Sequence, residues 1–343
     1  MTKARKKNST GVLSPLWKTV FLLLPILTAL AALCIGRIGV APADMFRSLW
    51  AHLAKGELLP DQMETVLWKI RFPRILLALL VGAGLSTAGC AFQSLFSNPL
   101  ATPDTLGVAS GASFGAALGL LIGLNLIGVQ LISLFFGVIA VLLTWISGAG
   151  RGRGLNSMVL AGIMVGSLFS ALVSLIKFTA DTETKLPSIT YWLMGSLDSA
   201  GYGTLLLGAP WILAGILVLY LLRWRLNVLP LSEEEAKASG TNIRALRIVS
   251  VLCATAITAS CVSMCGQVGW VGLLVPHICR MKFGNNHLSL LPASIFTGAA
   301  FLVIVDTVAR SASAAEIPIS ILTAIIGAPF FIILMRRSGG WQM

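Results

Sequence analysis

The chain has 343 residues, of which 56% are hydrophobic and 11% charged, with a formal net charge of +12. An ordinary soluble domain carries about 25% charged residues, so this composition excludes one and points to a chain that crosses a membrane many times. The positive charge would suit nucleic acid only if it lay on an exposed face; in a membrane protein it first reports topology.

The start, "MTKARKKN" before an apolar run, has the layout of a signal peptide. The many later spans make it an uncleaved first helix instead. Apolar spans are predicted near Val20–Ile35, Ile75–Phe96, Gly107–Gly123, Val129–Ile146 and Leu155–Ile176. Others follow near Leu205–Leu222, Ile248–Cys265, Leu290–Val308 and Ile317–Met335. Between the seventh and the last two, "VGWVGLLVPHIC" is too short alone to cross a hydrocarbon layer of about 30 Å.

Charge decides whether that short piece counts. With ten crossings and a cytoplasmic N-terminus, 16 of the 25 Lys and Arg residues fall inside: in 1–18, "RGRG", Arg223–Arg247, "RMKFGNNH" and "RRSGG". With nine crossings the last two groups face outward, against the positive-inside rule. The expectation is therefore an all-α integral membrane protein, one transmembrane domain over 1–343, with ten helices and both termini cytoplasmic. Residues 1–19 form the cytoplasmic start and 223–247 a cytoplasmic segment between spans six and seven. The eighth helix must be short and sheltered by protein. Four acids, Asp104 and Glu233 to Glu235, also lie inside, so the excess charge of +12 is cytoplasmic and nucleic acid drops out.

Two features exceed plain packing. The third span carries Gly107, Gly111, Gly115, Gly119 and Gly123 at four-residue spacing, a bare helix face that lets a neighbour approach closely. In "RFPR", Arg71 and Arg74 stand just outside the second span on the face where basic residues are disfavoured. They either snorkel at the interface or form a docking patch for an acidic external partner, which Arg310 can join. Asp306, four residues before Arg310, can pair with it.

The longest polar interruption, "LSEEEAKASGTNIRALR" (Leu231–Arg247), has eight Glu, Lys, Arg, Asn or Thr residues among seventeen. Ser232 can cap a helix N-terminus, Glu233 to Glu235 favour its first turn, and Gly240 can end it. "TNIRALR" can form a second turn of helix leading into the seventh span.

Six cysteines lie in or beside apolar segments and read as small buried residues; Cys261 and Cys265 share a helix face but need further ligands to hold a metal. The sequence contains neither G-x-x-x-x-G-K-[ST] nor H-E-x-x-H, and His52, His277 and His287 are scattered. Carboxylates are absent from mid-span, unlike the usual ion-coupled carrier.

The run "RFPRILLALLVGAGLSTAGCAFQSLFSNPLATPDTLGVASGASFGAALG" resembles the pattern R-x-P-R…G…Q…NPLA-x-P…LG-x-x-x-GA of the FecCD family of ABC-transporter permeases. "GWVGLLVPHICR", "LLPAS", "DTVAR" and "EIPISILTAIIGAPFFIILM" resemble its C-terminal half in order, so the likeness runs from about Arg71 to Met335. Gln267 departs from a position that is often Pro-Ile.

The resemblance implies a type II importer in a bacterial inner membrane. Two permease subunits, identical or different, would surround a pathway above two ATPases, fed by an external solute-binding protein. ATP and Mg would bind the ATPase, leaving this chain without cofactor, metal or catalytic residue. Glu233, Ala236, Ser239, Gly240, Thr241 and Asn242 would belong to coupling helices seated in the ATPase, with Ala236, Ser239 and Gly240 making the close contact. Arg71, Arg74 and Arg310 would meet glutamates of the binding protein. His277 reads as a buried polar cap. The expected cargo is a ferric siderophore, with cobalamin, haem or an oxyanion as alternatives; an ion-coupled carrier and an intramembrane enzyme are the rivals from other classes.

Overall fold

The computed structural model describes residues 13–54, 60–148, 155–231, 233–313 and 315–337. Ser232, "RGRG" and most of the predicted cytoplasmic N-terminus lie outside them. The described residues form helices joined by short links: α1 (Pro15–Cys34), α2 (Pro42–Ala54), α3 (Asp61–Glu64), α4 (Phe72–Leu95), α5 (Val108–Leu121), α6 (Leu126–Gly148) and α7 (Leu155–Thr179). After these come α8 (Lys185–Leu193), α9 (Tyr202–Leu221), α10 (Glu233–Ala238), α11 (Ile243–Cys265), α12 (Val271–Phe283), α13 (His287–Ala312) and α14 (Ile319–Arg337).

Seven helical stretches among the described residues are long and apolar enough to cross a membrane, and Val108–Leu121 and Ile319–Ile333 are shorter apolar helices. The stretches separate by burial. In Asp61–Leu95, Ile243–Cys265 and His287–Ala312, 83%, 72% and 67% of the most apolar window is buried. In α1, α6, α9 and Ser157–Thr179 the share is only 22–33%. The outer helices present Leu22, Ile26, Ile146, Leu168, Phe178 and Leu206 outward. In water such an apolar exterior would be costly, whereas hydrocarbon accepts it. The inner three form the core.

Composition explains which helices lie inside. Helix α4 is rich in Gly, Ala, Ser and Thr, and its burial is nearly continuous from Val81 to Leu95. A Cβ on Gly82 would stand 2.2 Å from the Gly298 carbonyl on α13, and one on Gly89 would stand 1.8 Å from the Gly272 carbonyl on α12. Hydrocarbon gives little drive for apolar side chains to associate, so close backbone approach carries the packing.

The bare face of α5 works likewise. A Cβ on Gly111 would lie 2.5 Å from the Phe136 carbonyl, and one on Gly115 would lie 2.5 Å from the Ile132 carbonyl; on Gly119 it would meet Val129 Cα at 3.1 Å. These three seat α5 on α6. Gly107 and Gly123 stand at the ends with φ of +74° and +76°, and Gly107 faces α7 at Gly162 and Gly166. The five-glycine stripe is thus three packing positions between two left-handed termini.

"RFPR" interrupts one continuous helical stretch. Pro73 has no N–H and its ring crowds the preceding turn, and the seven residues Thr65–Arg71 widen into a π-helix. Helix α12 is the short element of 13 residues, largely buried against α4 and α13. Gln267 lies in the link before it, where Gly266 and Trp270 both have positive φ. Its carbonyl accepts from Ser320 Oγ and stands 2.6 Å from where a Gly195 Cβ would be, so this link pins α14 to the α8–α9 turn.

Candidate functional site

The arginines singled out by sequence meet at one end of the bundle. Arg74 Nε donates to both Asp306 oxygens at 3.0 and 3.1 Å, its Nη2 donates to Asp306 Oδ1 at 2.8 Å, and its Nη1 donates to Glu316 at 2.9 Å. Arg71 donates to the carbonyls of Leu33, Cys34 and Ile38. Arg310 donates to the Ala32 carbonyl, with its Nε 3.8 Å from Asp306 Oδ2. The three are only 4–7% exposed, and Asp306 is 1% exposed.

The three arginines thus lie together but buried, and Asp306 pairs with Arg310 as its spacing suggests while holding Arg74 more closely. A guanidinium at the end of an apolar helix needs acceptors, and the last carbonyls of α1, the link after it and the carboxylate of α13 supply them. The three still line an open cleft of about 230 Å³ whose wall includes Arg37 and Glu316. Arg37, with a half-exposed side chain, lies 3.9 Å from Glu316 and donates to the Ser313 carbonyl at 2.8 Å. Sequence reasoning missed Glu316, which closes the cleft at a φ of +46°. Its sequence signal is its place at the head of the run "EIPISILTAIIGAPFFIILM", in the link between α13 and α14.

The polar segment between α9 and α11 folds as a short helix. Ala236 is fully buried within the chain, packed with Val228 and Ile243, so it is unavailable to a partner. Ser239 and Gly240 are exposed; Ser239 Oγ donates to the Ala236 carbonyl at 2.7 Å, and Gly240 has φ +70° with open space around it. Thr241 is half-buried, and exposed Asn242 caps α11 by accepting from the Ala245 N–H at 3.1 Å. "NIRALR" is therefore the cap and opening turn of α11, leading into that long helix. Glu233 begins α10, and Glu234 and Glu235 are exposed.

Beside this segment lies a polar cavity of about 780 Å³. His287 is held between Ser94 Oγ at 2.6 Å and Asn227 Oδ1 at 2.9 Å. Arg280 Nη2 donates to Gln93 Oε1 at 3.1 Å. His277 is not a cap: it sits within α12, its ring 5.3 Å from that of Phe331. Cys261 and Cys265 are buried on α11, where the Cys265 thiol donates to the Cys261 carbonyl at 3.0 Å.

Such a bundle, with a buried core of small-residue helices and a short sheltered helix, is a multi-pass membrane protein, and its relatives say of which kind. Residues 23–337 match the FecCD transport family, and the chain belongs to it. The chain is 44% identical over 317 residues to a molybdate import system permease protein of Haemophilus influenzae, covering 92% of this chain and 94% of that one. It is 37% identical to a permease protein assigned to iron chelatin transport in Helicobacter pylori, covering 84% and 87%. Among solved structures it is similar to an ABC transporter assigned to the metal-chelate type in an inward-facing conformation. That match has a TM-score of 0.84 and 40% identity, covering 94% of this chain and all of that one. The family comprises permease subunits of ABC transporters, translocating components that work with a separate ATPase and a substrate-binding protein.

Proposed function

We propose that this chain is the membrane-spanning subunit of an ATP-driven importer that takes up a metal-bearing solute handed over by an external binding protein. Two copies, or this chain and a close relative, would enclose the pathway, with two ATPases on the side of the basic loops. Each copy would cross ten times: the seven long stretches, α5, α14 and the buried α12. The observation carrying this reading is family membership across nearly the whole chain, together with a fold that superposes on an ABC transporter.

The arrangement suits the division of labour. ATP-driven closure of the ATPases would press on the exposed turn after α10 at Ser239 and Gly240, with Asn242 passing the displacement directly into α11. Because α11 packs on α4, α5, α6 and α9, a push there moves core helices. At the opposite end, carboxylates of the binding protein's lobes would enter the cleft over Arg71, Arg74 and Arg310. No bond-making chemistry is assigned to this chain, and ATP and Mg would stay with the partner.

For the cargo, a molybdate-class oxyanion is the stronger reading, supported by the 44% identity to a molybdate permease over 92% of the chain. The ferric chelate expected from sequence is the second, supported by the iron chelatin relative. Reconstitution with its ATPase and binding protein decides between them. ATP-dependent uptake of radiolabelled molybdate exceeding that of a labelled ferric siderophore supports the first. The reverse order supports the second. Uptake by the chain alone, driven by an ion gradient without ATP, would overturn the importer reading.

A further inference from the structure

We propose that His287 is a positioning residue that ties the segment leading into α10 to a two-helix strut, α4 and α13, and so carries the docking signal from the arginine cleft to the ATPase side. This role rests on the docking and coupling surfaces proposed above, which it joins.

Helices α4 and α13 run antiparallel and are clasped at both ends. At one end Arg74 of α4 meets Asp306 of α13 at 2.8 Å. At the other, Ser94 Oγ of α4 lies 2.6 Å from Nε2 of His287, the first residue of α13. Both Ser94 and His287 are buried. About 30 Å of helix separates the two clasps, at a rise of about 1.5 Å per residue. Between them a Cβ on Gly298 would stand 2.0 Å from Ser86 Oγ and 2.4 Å from the Gly82 carbonyl, so the two backbones interlock. Neither helix can slide without breaking both buried clasps, so the pair moves as one body.

The Ser94 clasp reaches beyond the strut. Asn286 Oδ1 accepts from the Leu288 N–H at 3.0 Å and from Asn227 Nδ2 at 3.1 Å, which turns the Asn227 oxygen toward His287. That oxygen accepts from the His287 backbone N–H at 2.9 Å and lies 2.9 Å from its Nδ1. Facing an acceptor, Nδ1 carries the ring proton. Nε2 is then an acceptor for the Ser94 hydroxyl, which also reaches the Cys90 carbonyl at 3.1 Å. One neutral imidazole thus holds α4 with one nitrogen and Asn227 with the other. Asn227 belongs to the single 3-10 turn Arg225–Val228, and its neighbour Val228 packs with Ala236 of α10 and Ile243 of α11. A displacement of α10 reaches the strut through Val228, Asn227 and His287, by a route separate from the Asn242 cap of α11. The strut's far end is the arginine cleft.

The test uses the full complex with its ATPase and binding protein. It reads how many fold the binding protein, added without solute, raises ATP hydrolysis, beside each variant's melting temperature and docking affinity. His287→Asn keeps a group at the Nδ1 position but not at Nε2, and His287→Gln does the reverse. Each should cut the stimulation at least threefold while the binding protein still docks. Ser94→Ala, which deletes one hydroxyl, should do the same and keeps the proposal testable if the histidine variants misfold. Asn227→Ala combined with Ser94→Ala should lower stimulation no further than the worse single change, since both cut one relay. A merely structural role predicts instead that stimulation follows melting temperature and that the two losses multiply. Multiplied losses, or full stimulation in Ser94→Ala, would overturn the relay. If Ser239→Trp abolishes stimulation while the Ser94 and His287 variants keep it, the relay alone fails. A parent complex that its binding protein does not stimulate would overturn the docking and coupling readings together with it.

Discussion

Buried charge matters most at the residue scale. Arg74, Asp306 and Glu316 join α4, α13 and the following link through short charge-assisted bonds. Removing one partner strands the other, so Asp306→Leu or Arg74→Met should destabilise the chain by about 3–5 kcal/mol. The paired change Arg74→Met with Asp306→Leu should cost less than the sum, and thermal unfolding in detergent measures the cycle. Glu316 is partly exposed and occupies one side of the cleft. If a partner carboxylate enters there, Glu316→Gln should tighten the binding protein's docking severalfold at low salt, with the gain shrinking as salt rises. Unchanged docking in that variant would count against the arginine cleft as the contact.

Asp104 gives a pH-dependent case outside the spans. Its Oδ1 accepts from the N–H groups of Ala109 and Ser110 at 2.9 and 3.3 Å. Burial nonetheless outweighs those bonds and pushes its carboxyl up to about 6 from 3.8. A folded pKa above the unfolded one means that this group's stability is fully present below pH 3.8. It is lost as pH rises through 6, a change of up to roughly 3 kcal/mol. Asp104→Asn keeps an acceptor oxygen and removes the titration. Its melting temperature should exceed that of the parent at pH 7, and the gap should close near pH 4.

Among the elements, α5 and α10 pose opposite problems. Gly115 faces a backbone carbonyl that cannot swing away, so Gly115→Leu must drive α5 off α6. It should cost more than the usual 1–3 kcal/mol of overpacking and reduce the folded yield in membranes. On α10 and the turn that follows it, neighbouring small residues have different fates. Ala236→Trp overfills a contact internal to the chain and should lower the melting temperature. Ser239→Trp projects outward and should leave melting unchanged while uncoupling ATP hydrolysis from uptake. Equal stability loss in both would show that Ser239 also supports the fold, and normal transport in Ser239→Trp would remove it from the coupling surface.

Across the whole molecule, the chain carries no phosphate loop, and its work depends on partners. Purified free of its ATPase, it should hydrolyse no ATP; hydrolysis surviving that removal would contradict the division of labour. Apolar runs, the glycine spacing and the ordered motifs "RFPR", "NPLATP" and "VPHICR" made the helices and the family legible in the sequence. Periodicity and backbone chemistry are local, and a bare helix face or a proline acts wherever it stands. Charge counting also marked "VGLLVPHIC" as a helix, because a span changes the side on which every later basic residue lies.

What only the tertiary structure decided is which polar groups find each other. Arg71 looked like an interfacial cation, but the carbonyls at the end of α1 and in the link after it, more than thirty residues earlier, take its hydrogens. Asp306 looked like a helix-surface partner until α4 brought Arg74 against it from 232 positions away. Ala236 looked free because smallness suits a partner's cleft and an internal contact equally well, and only the fold of Val228 and Ile243 around it chose between them. Side-chain chemistry is written residue by residue, whereas burial and partnership are properties of the packed helices, set by distances the linear order does not contain.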